Sequence, residues 1–267
     1  LNRSWEAWTL GWTAYRSVAL EQRPRILRAL TLAALAEAPD DQARSILQRW
    51  LRADPSDFPA EIALLHRATE LPQPDDPPLD QRLHRLDQLV EAHPSDAAGR
   101  EAMVETLLLA GEIERARLSL DAWPTPDRER NPRYWRLLGR WEQDYGRNPD
   151  RAAVAIRQAL AAQPHDWKTL YRLARALRAL GRLEESDATV QRMSLLRERL
   201  EPANLGPKLN HALEHLDQSN AWNELATMSA SVGLEALANA WSQLGQAGPA
   251  HSRDPNGHGM LDREHRN

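Results

Sequence analysis

The sequence predicts an all-α chain, a right-handed α-solenoid of stacked antiparallel helix pairs. Three observations predict it. Ala, Leu, Arg, Glu and Gln dominate while β-branched residues are sparse, a composition that favours helix over strand. Helix-stopping dipeptides recur at Asp54-Pro55, His93-Pro94, Asn131-Pro132, Gln163-Pro164 and Glu201-Pro202, about 32 to 39 residues apart. Each proline can end the incoming helix and occupy the first turn of the next. Between these stops, large and small apolar residues recur at helical spacing in paired segments, as from Trp167 to Val190.

In chain order, residues 1–22 read as an N-terminal aromatic helix, because Trp5, Trp8, Trp12 and Tyr15 fall on one face. That face either caps the array or is an interface. Residues 23–204 read as about five hairpins. The first pairs Pro24 to Glu37 with Asp41 to Pro55, where Ala43, Leu47, Trp50 and Leu51 form the apolar stripe. The second joins Phe58 to Glu70 and Leu79 to Pro94 through the proline-rich stretch Leu71 to Pro78. The third runs from Ala97 to Trp123, with Met103, Leu107, Gly111, Ala116 and Leu120. The fourth runs from Asn131 to Pro164, with Trp135, Leu138, Gly139, Ala152, Ile156, Ala159 and Leu160. The fifth carries Leu170, Leu173, Ala174 and Leu177 on its first helix, closes at Gly181, and continues with Ser186 and Val190. Ala152 and Ala174 are expected where helices approach closely. Trp50, Trp123 and Trp135 are expected in the core.

Residues 205–245 read as capping helices, Pro207 to Leu216 and Ala221 to Leu244, with a turn at Ser219-Asn220 and an interruption at Gly233. Residues 246–267 read as a disordered tail, since Gly, Pro, His, Asp and Arg leave little to bury.

The run Trp135-x-x-Leu138-Gly139, the Gly181 hairpin and the repeat spacing resemble those of the tetratricopeptide repeat (TPR) family. From about Arg23 to Pro202 the chain looks like a bacterial TPR protein. The resemblance implies a binding surface rather than an enzyme. It also implies that first helices line a concave groove. On the two best-matched repeats the groove-facing line is Arg133, Arg136 and Arg140, then Lys168, Tyr171, Arg172 and Arg175, continued by Arg178. Guanidinium forks grip carboxylates in a bidentate manner, so acidic segments of a partner protein are the expected ligands. The preceding repeat offers Glu101 and Glu105, which can instead pair with those arginines.

Composition removes other classes. The chain has 267 residues, a formal net charge of −4 and no cysteine, so thiolate chemistry and zinc–thiolate sites are excluded. A pI near 6.2 gives no global pull toward nucleic acid or anionic membrane. No apolar run reaches the ~18 residues of a spanning helix, so no membrane insertion is expected of this segment. Almost all basic charge is Arg, and with abundant Ala and Leu this suggests a high-GC bacterial genome. Phosphate-loop, dinucleotide and nucleophile-elbow motifs are absent.

His211-Ala-Leu-Glu214-His215 has the spacing of an inverted zinc-protease helix. A third ligand is not in sight, so the pair is expected to face solvent. The tail residues His251, His258 and His265, with Asp254 and Asp262, match no metal geometry. No metal, cofactor or catalytic residue is expected. The leading reading is a non-catalytic scaffold that binds protein segments. The alternative is a TPR regulatory or recruitment region of a larger enzyme or envelope-associated protein, which fits the lack of an initiator Met before Leu1. Compartment, cytoplasmic or periplasmic, is left open.

Overall fold

The computed structural model describes residues 4–35, 40–123 and 128–247, leaving aside the side chains of residues 4–7, 219 and 247. Among them are fourteen α-helices and no strand: α1 (Ser4–Ser17), α2 (Arg23–Leu35), α3 (Asp40–Ala53), α4 (Phe58–Glu70), α5 (Leu79–Ala92), α6 (Ala97–Ala110), α7 (Ile113–Asp121), α8 (Pro132–Asp144), α9 (Pro149–Ala162), α10 (Trp167–Ala179), α11 (Leu183–Arg199), α12 (Pro202–Glu214), α13 (Ser219–Ser231) and α14 (Glu235–Ala247). Successive helices pack on one another as in a solenoid.

Two turn chemistries punctuate the array. The first is Pro-x-Asp. At Pro55, Pro94 and Pro164 the ring sets the second position of a turn that closes from Asp57 N to Asp54 O (3.1 Å), Asp96 N to His93 O (3.0 Å) and Asp166 N to Gln163 O (3.2 Å). The aspartate then caps the next helix, accepting from Ala60 N, Gly99 N or Thr169 N at 2.7–3.1 Å. The second is glycine in the left-handed region, at Gly111, Gly181 and Gly233 (φ 76, 73 and 84°). There Glu112, Arg182 and Leu234 donate their N–H groups five residues back, to Leu107, Leu177 and Ser229. A Cβ at Gly139 would lie 2.5 Å from Cγ1 of Ile156, so this glycine is what lets α8 and α9 approach closely. Ala152 and Ala174 are buried, as small residues at close contacts should be.

The N-terminal hairpin departs from the expected order. α2 has α1 and α14 as its main neighbours, not α3. Tyr15, Leu27, Leu30 and Leu35 therefore share one core with Ile156, Leu173, Leu209, Trp222, Trp241 and Leu244, and Trp8 and Trp12 pack against it. The indole N–H of Trp241 donates to Thr31 Oγ1 at 3.0 Å, joining positions 210 residues apart in a fully buried contact. The chain thus brings its ends together.

This corrects several expectations. The segment expected to pair with Asp41–Pro55 is docked at the far end of the array. α3 keeps α4 as its main neighbour, and Trp50 is 52 % exposed rather than in the core. Trp123 is buried and Trp135 partly so. The cap is three helices rather than two: α12 begins at Pro202, and Gly233 separates α13 from α14. α14 runs to Ala247, two residues into the segment expected to be a tail; the rest of the tail, with its histidines, lies outside the described residues. The aromatic face of α1 is a packing face at Trp8, Trp12 and Tyr15, with the Trp5 side chain outside the description.

Two outcomes are expected. Gly139→Ala should cost about 1–3 kcal/mol through overpacking, measured by chemical denaturation, although helix propensity alone would predict a gain of about 1 kcal/mol. Trp241→Phe, which removes one buried hydrogen bond worth about 0.5–1.5 kcal/mol, should speed amide exchange in α1, α2 and α14 while leaving α4 to α7 unchanged. Uniform acceleration along the chain would contradict the end-to-end seam.

Candidate functional site

The first helices of four consecutive pairs, α4, α6, α8 and α10, contribute to one cleft of about 320 Å³. Thr69, Glu70 and Leu71 come from the end of α4, Glu105 and Leu109 from α6, Arg140 from α8 and Lys168 from the start of α10. The Pro-x-Asp turns fix where α4, α6 and α10 start, and Asn131, whose side chain accepts from Arg133 N–H, caps the start of α8. Leu71 and Leu109 are more than half exposed, so the cleft has apolar lips around a charged interior.

The structure separates the expected basic line into two sets. Arg133 is buried with its Nε 3.0 Å from Glu101 Oε2. Arg136 Nη2 bonds the other oxygen of Glu101 and lies 3.8 Å from Glu105 Oε1. Arg172 Nη1 is 3.0 Å from Asp144 Oδ2, and Arg175 Nη1 is 3.8 Å from Asp144 Oδ1. Arg178 reaches Asp187 on α11 at 3.2 Å. These arginines are engaged by acids of the chain itself.

Arg140 and Lys168 remain. Neither has a carboxylate within ion-pair distance among the described residues, both line the cleft, and the Nε of Arg140 is buried with no hydrogen-bond partner there. A buried donor left in that state is costly unless something in the cleft meets it. Tyr171, 51 % exposed, lies one turn along α10 from Lys168.

Beneath the cleft lies a buried charge network. Glu101 is 2 % exposed, and His66 on α4, equally buried, bonds Glu105 through Nε2. Burial opposes the charged form of His66, but the hydrogen bond and charge of Glu105, with Glu101 and Glu70 behind it, outweigh burial and raise its pKa above the ordinary value. Burial likewise opposes ionisation of Glu105, yet His66, Arg136 and Arg140 hold its pKa down to about 2. For Arg136 the pull of Glu101 and Glu105 overcomes desolvation, and its pKa is raised. The Thr69 and Thr106 hydroxyls, 2.9 Å apart, and Arg82 reaching Thr69 at 3.1 Å tie α4, α5 and α6 together beside it.

The sequence reading missed His66 and Glu70. They stand four apart on one helix, which the sequence displays, but Glu105 joins them from a different repeat. His66, Glu70 and Glu105 bring donor atoms within 4.8 Å of one another. His211, in the last turn of α12, and His215, the residue that follows that helix, have rings 4.5 Å apart; His211 is exposed, and the group of three possible ligands found among the described residues is elsewhere.

The two ion-pair sets should respond differently to neutralisation. Glu101→Gln leaves buried guanidinium charge uncompensated and should cost about 3–5 kcal/mol in chemical denaturation. Asp144→Asn breaks half-exposed pairs and should cost less than about 1 kcal/mol. Equal effects would contradict this division.

Residues 147–199 match the sequence profile of a family described as Tetratricopeptide repeat. A search of curated proteins finds no match. The matched segment spans α9, α10 and α11, including Ala152, Ala159, Leu170, Ala174 and Gly181 of the large/small pattern, and no helix among the described residues is long and apolar enough to cross a membrane. Residues 147–199 thus read as a tetratricopeptide-repeat segment, and the helix pairs on either side continue the same packing.

Proposed function

We propose that this chain is a non-catalytic scaffold that holds an acidic segment of a partner protein in the cleft between α4, α6, α8 and α10. Repeats of this kind serve protein–protein interaction, and the cleft is formed by the helices that line the inner face of such arrays. The observation that carries the reading is the pair of cations left over: Arg140, with a buried donor lacking a partner, and Lys168, both lining the cleft. A carboxylate of the partner meets Arg140 in a fork and Lys168 as a point charge. Apolar residues flanking it rest on Leu71 and Leu109, and Tyr171 offers a rigid amphipathic surface beyond. Arg133, Arg136, Arg172 and Arg175, first expected as ligand contacts, act in this reading as the frame: paired with Glu101, Glu105 and Asp144, they hold the helices in register and confine the donor site to the middle of the line, at Arg140 and Lys168.

The test uses fluorescence polarisation with a panel of labelled peptides, acidic with apolar flanks against charge-reversed versions. Acidic peptides should bind, and binding should weaken as salt rises above 0.1 M, where exposed charges are screened over about 10 Å. Arg140→Glu with Lys168→Glu should weaken it roughly tenfold or more, about 1.4 kcal/mol per decade, without changing the unfolding midpoint materially. Charge-blind binding, or binding that survives both replacements, would overturn the reading.

A further inference from the structure

The floor of the cleft holds a set of donors that no repeat pattern requires. His66 offers an imidazole nitrogen and Glu70, one turn further along α4, a carboxylate; Glu105 on α6 offers a second carboxylate, and the three donor atoms lie within 4.8 Å of one another. Their exposure is graded: His66 is buried, Glu105 intermediate and Glu70 exposed, so the cluster opens toward the cleft that Glu70 and Glu105 line. We propose that His66, Glu70 and Glu105 form a binding site for a zinc-type divalent cation, open on the side that faces the cleft.

Four considerations support it. Donor chemistry comes first. One imidazole and two carboxylates suit zinc and its first-row neighbours, whereas magnesium prefers oxygen ligands throughout and gives up water reluctantly. Charge is the second. A neutral imidazole with two carboxylates supplies two negative charges, which a divalent ion cancels, replacing the hydrogen bond that His66 and Glu105 share. Support from behind is the third. Glu105 is steadied by Arg136, which is itself held by Glu101, and this outer pairing orients a ligand as outer-shell partners do in metal sites. The last is adjustability. His66 and Glu105 already meet in a hydrogen bond and His66 is fixed by burial, while Glu70, its donor within 4.8 Å of both, is exposed and can swing in to close the sphere.

A second, independent feature points to a ligand in the same place. Arg140, whose buried Nε has no hydrogen-bond partner among the described residues, lines this cleft together with Glu105 and Lys168. Three protein ligands leave at least one coordination position, and Arg140 with Lys168 favours an anion there, a carboxylate or a hydroxide. The ion and the anion stabilise each other, which offsets the positive field of Arg136 and Arg140. The site shares its cleft with the proposed peptide contact but does not need it: metal alone tests one, peptide alone the other.

Calorimetric titration of the full chain with Zn²⁺, and separately with Mg²⁺, gives the measurement. One zinc ion per chain should bind at this site, with magnesium far weaker. Glu70→Gln, at an exposed position that leaves the fold intact, should weaken zinc binding roughly tenfold or more, since loss of a direct ligand should exceed the 10- to 100-fold effect of losing an outer partner. His66→Gln should remove it. His211→Gln with His215→Gln should leave it unchanged. Absence of stoichiometric zinc binding, zinc binding indifferent to Glu70→Gln, or zinc binding that disappears with the His211 and His215 pair would each overturn the proposal.

Discussion

Glu101 takes the guanidinium groups of both Arg133 and Arg136, joining α6 to α8 through a carboxylate that is itself buried, as is Arg133. Two charges removed from water recover their hydration only through close, well-formed partners. That requirement fixes the relative position of α6 and α8 more sharply than apolar contact does, because apolar surfaces tolerate sliding and a hydrogen-bonded carboxylate does not. Glu105 extends the same network to His66 on α4. The inner face from α4 to α8 is therefore set by ion pairing, with the apolar core of Leu86, Leu107, Leu120 and Leu137 behind it. The consequence is chemical as well as mechanical. Arginines used in this way are taken up by acids of the chain itself, and the cleft cations that have no carboxylate within ion-pair distance among the described residues are Arg140 and Lys168.

The ends of the array obey a different constraint. α1 and α2 present an apolar face at Tyr15, Leu27, Leu30 and Leu35, and α14 presents Leu237, Trp241 and Leu244 from a distant part of the chain. Docking one on the other buries both faces, and the Trp241–Thr31 hydrogen bond gives the contact a defined register. The exposed Trp50 is the counterpart of that choice, a residue patterned to meet a neighbouring helix that sits elsewhere. A solenoid normally shields its terminal faces with dedicated caps; here the N-terminal hairpin and the last helices serve as caps for each other.

Much of the fold was legible because it is locally encoded. Pro-x-Asp at residues 55–57, 94–96 and 164–166 and glycine at 111, 181 and 233 specify turns by backbone chemistry alone, so hairpin positions follow from the sequence. Ala152 and Ala174 were readable for the same reason, since a small residue within a large/small pattern marks a close approach. The destination of α2 was not readable. Its apolar stripe records that something covers it, and which element does so is decided by packing between distant parts of the chain. The site was half legible. Helical spacing assigned the basic residues to two successive first helices, which are α8 and α10, and the acids Glu101 and Glu105 were visible as potential partners. Which arginines they would take depends on the offset between neighbouring helices, and His66 could join Glu105 only once α4 and α6 were side by side. Long-range pairing, in the site as at the seam, is a property of packing that no local pattern carries.

The central claim is that the Glu101–Arg133 pairing is a specific coupling that organises the inner face, and a double-mutant cycle measures it. Glu101→Gln, Arg133→Met and the double variant, compared with the parent in chemical denaturation, isolate the pair energy from the separate costs of each replacement. The double variant should be about 2 kcal/mol or more stabler than the sum of the single effects implies, near the upper part of the range for residues in one ion network. Additivity within about 0.5 kcal/mol, the behaviour of independent sites, would contradict it.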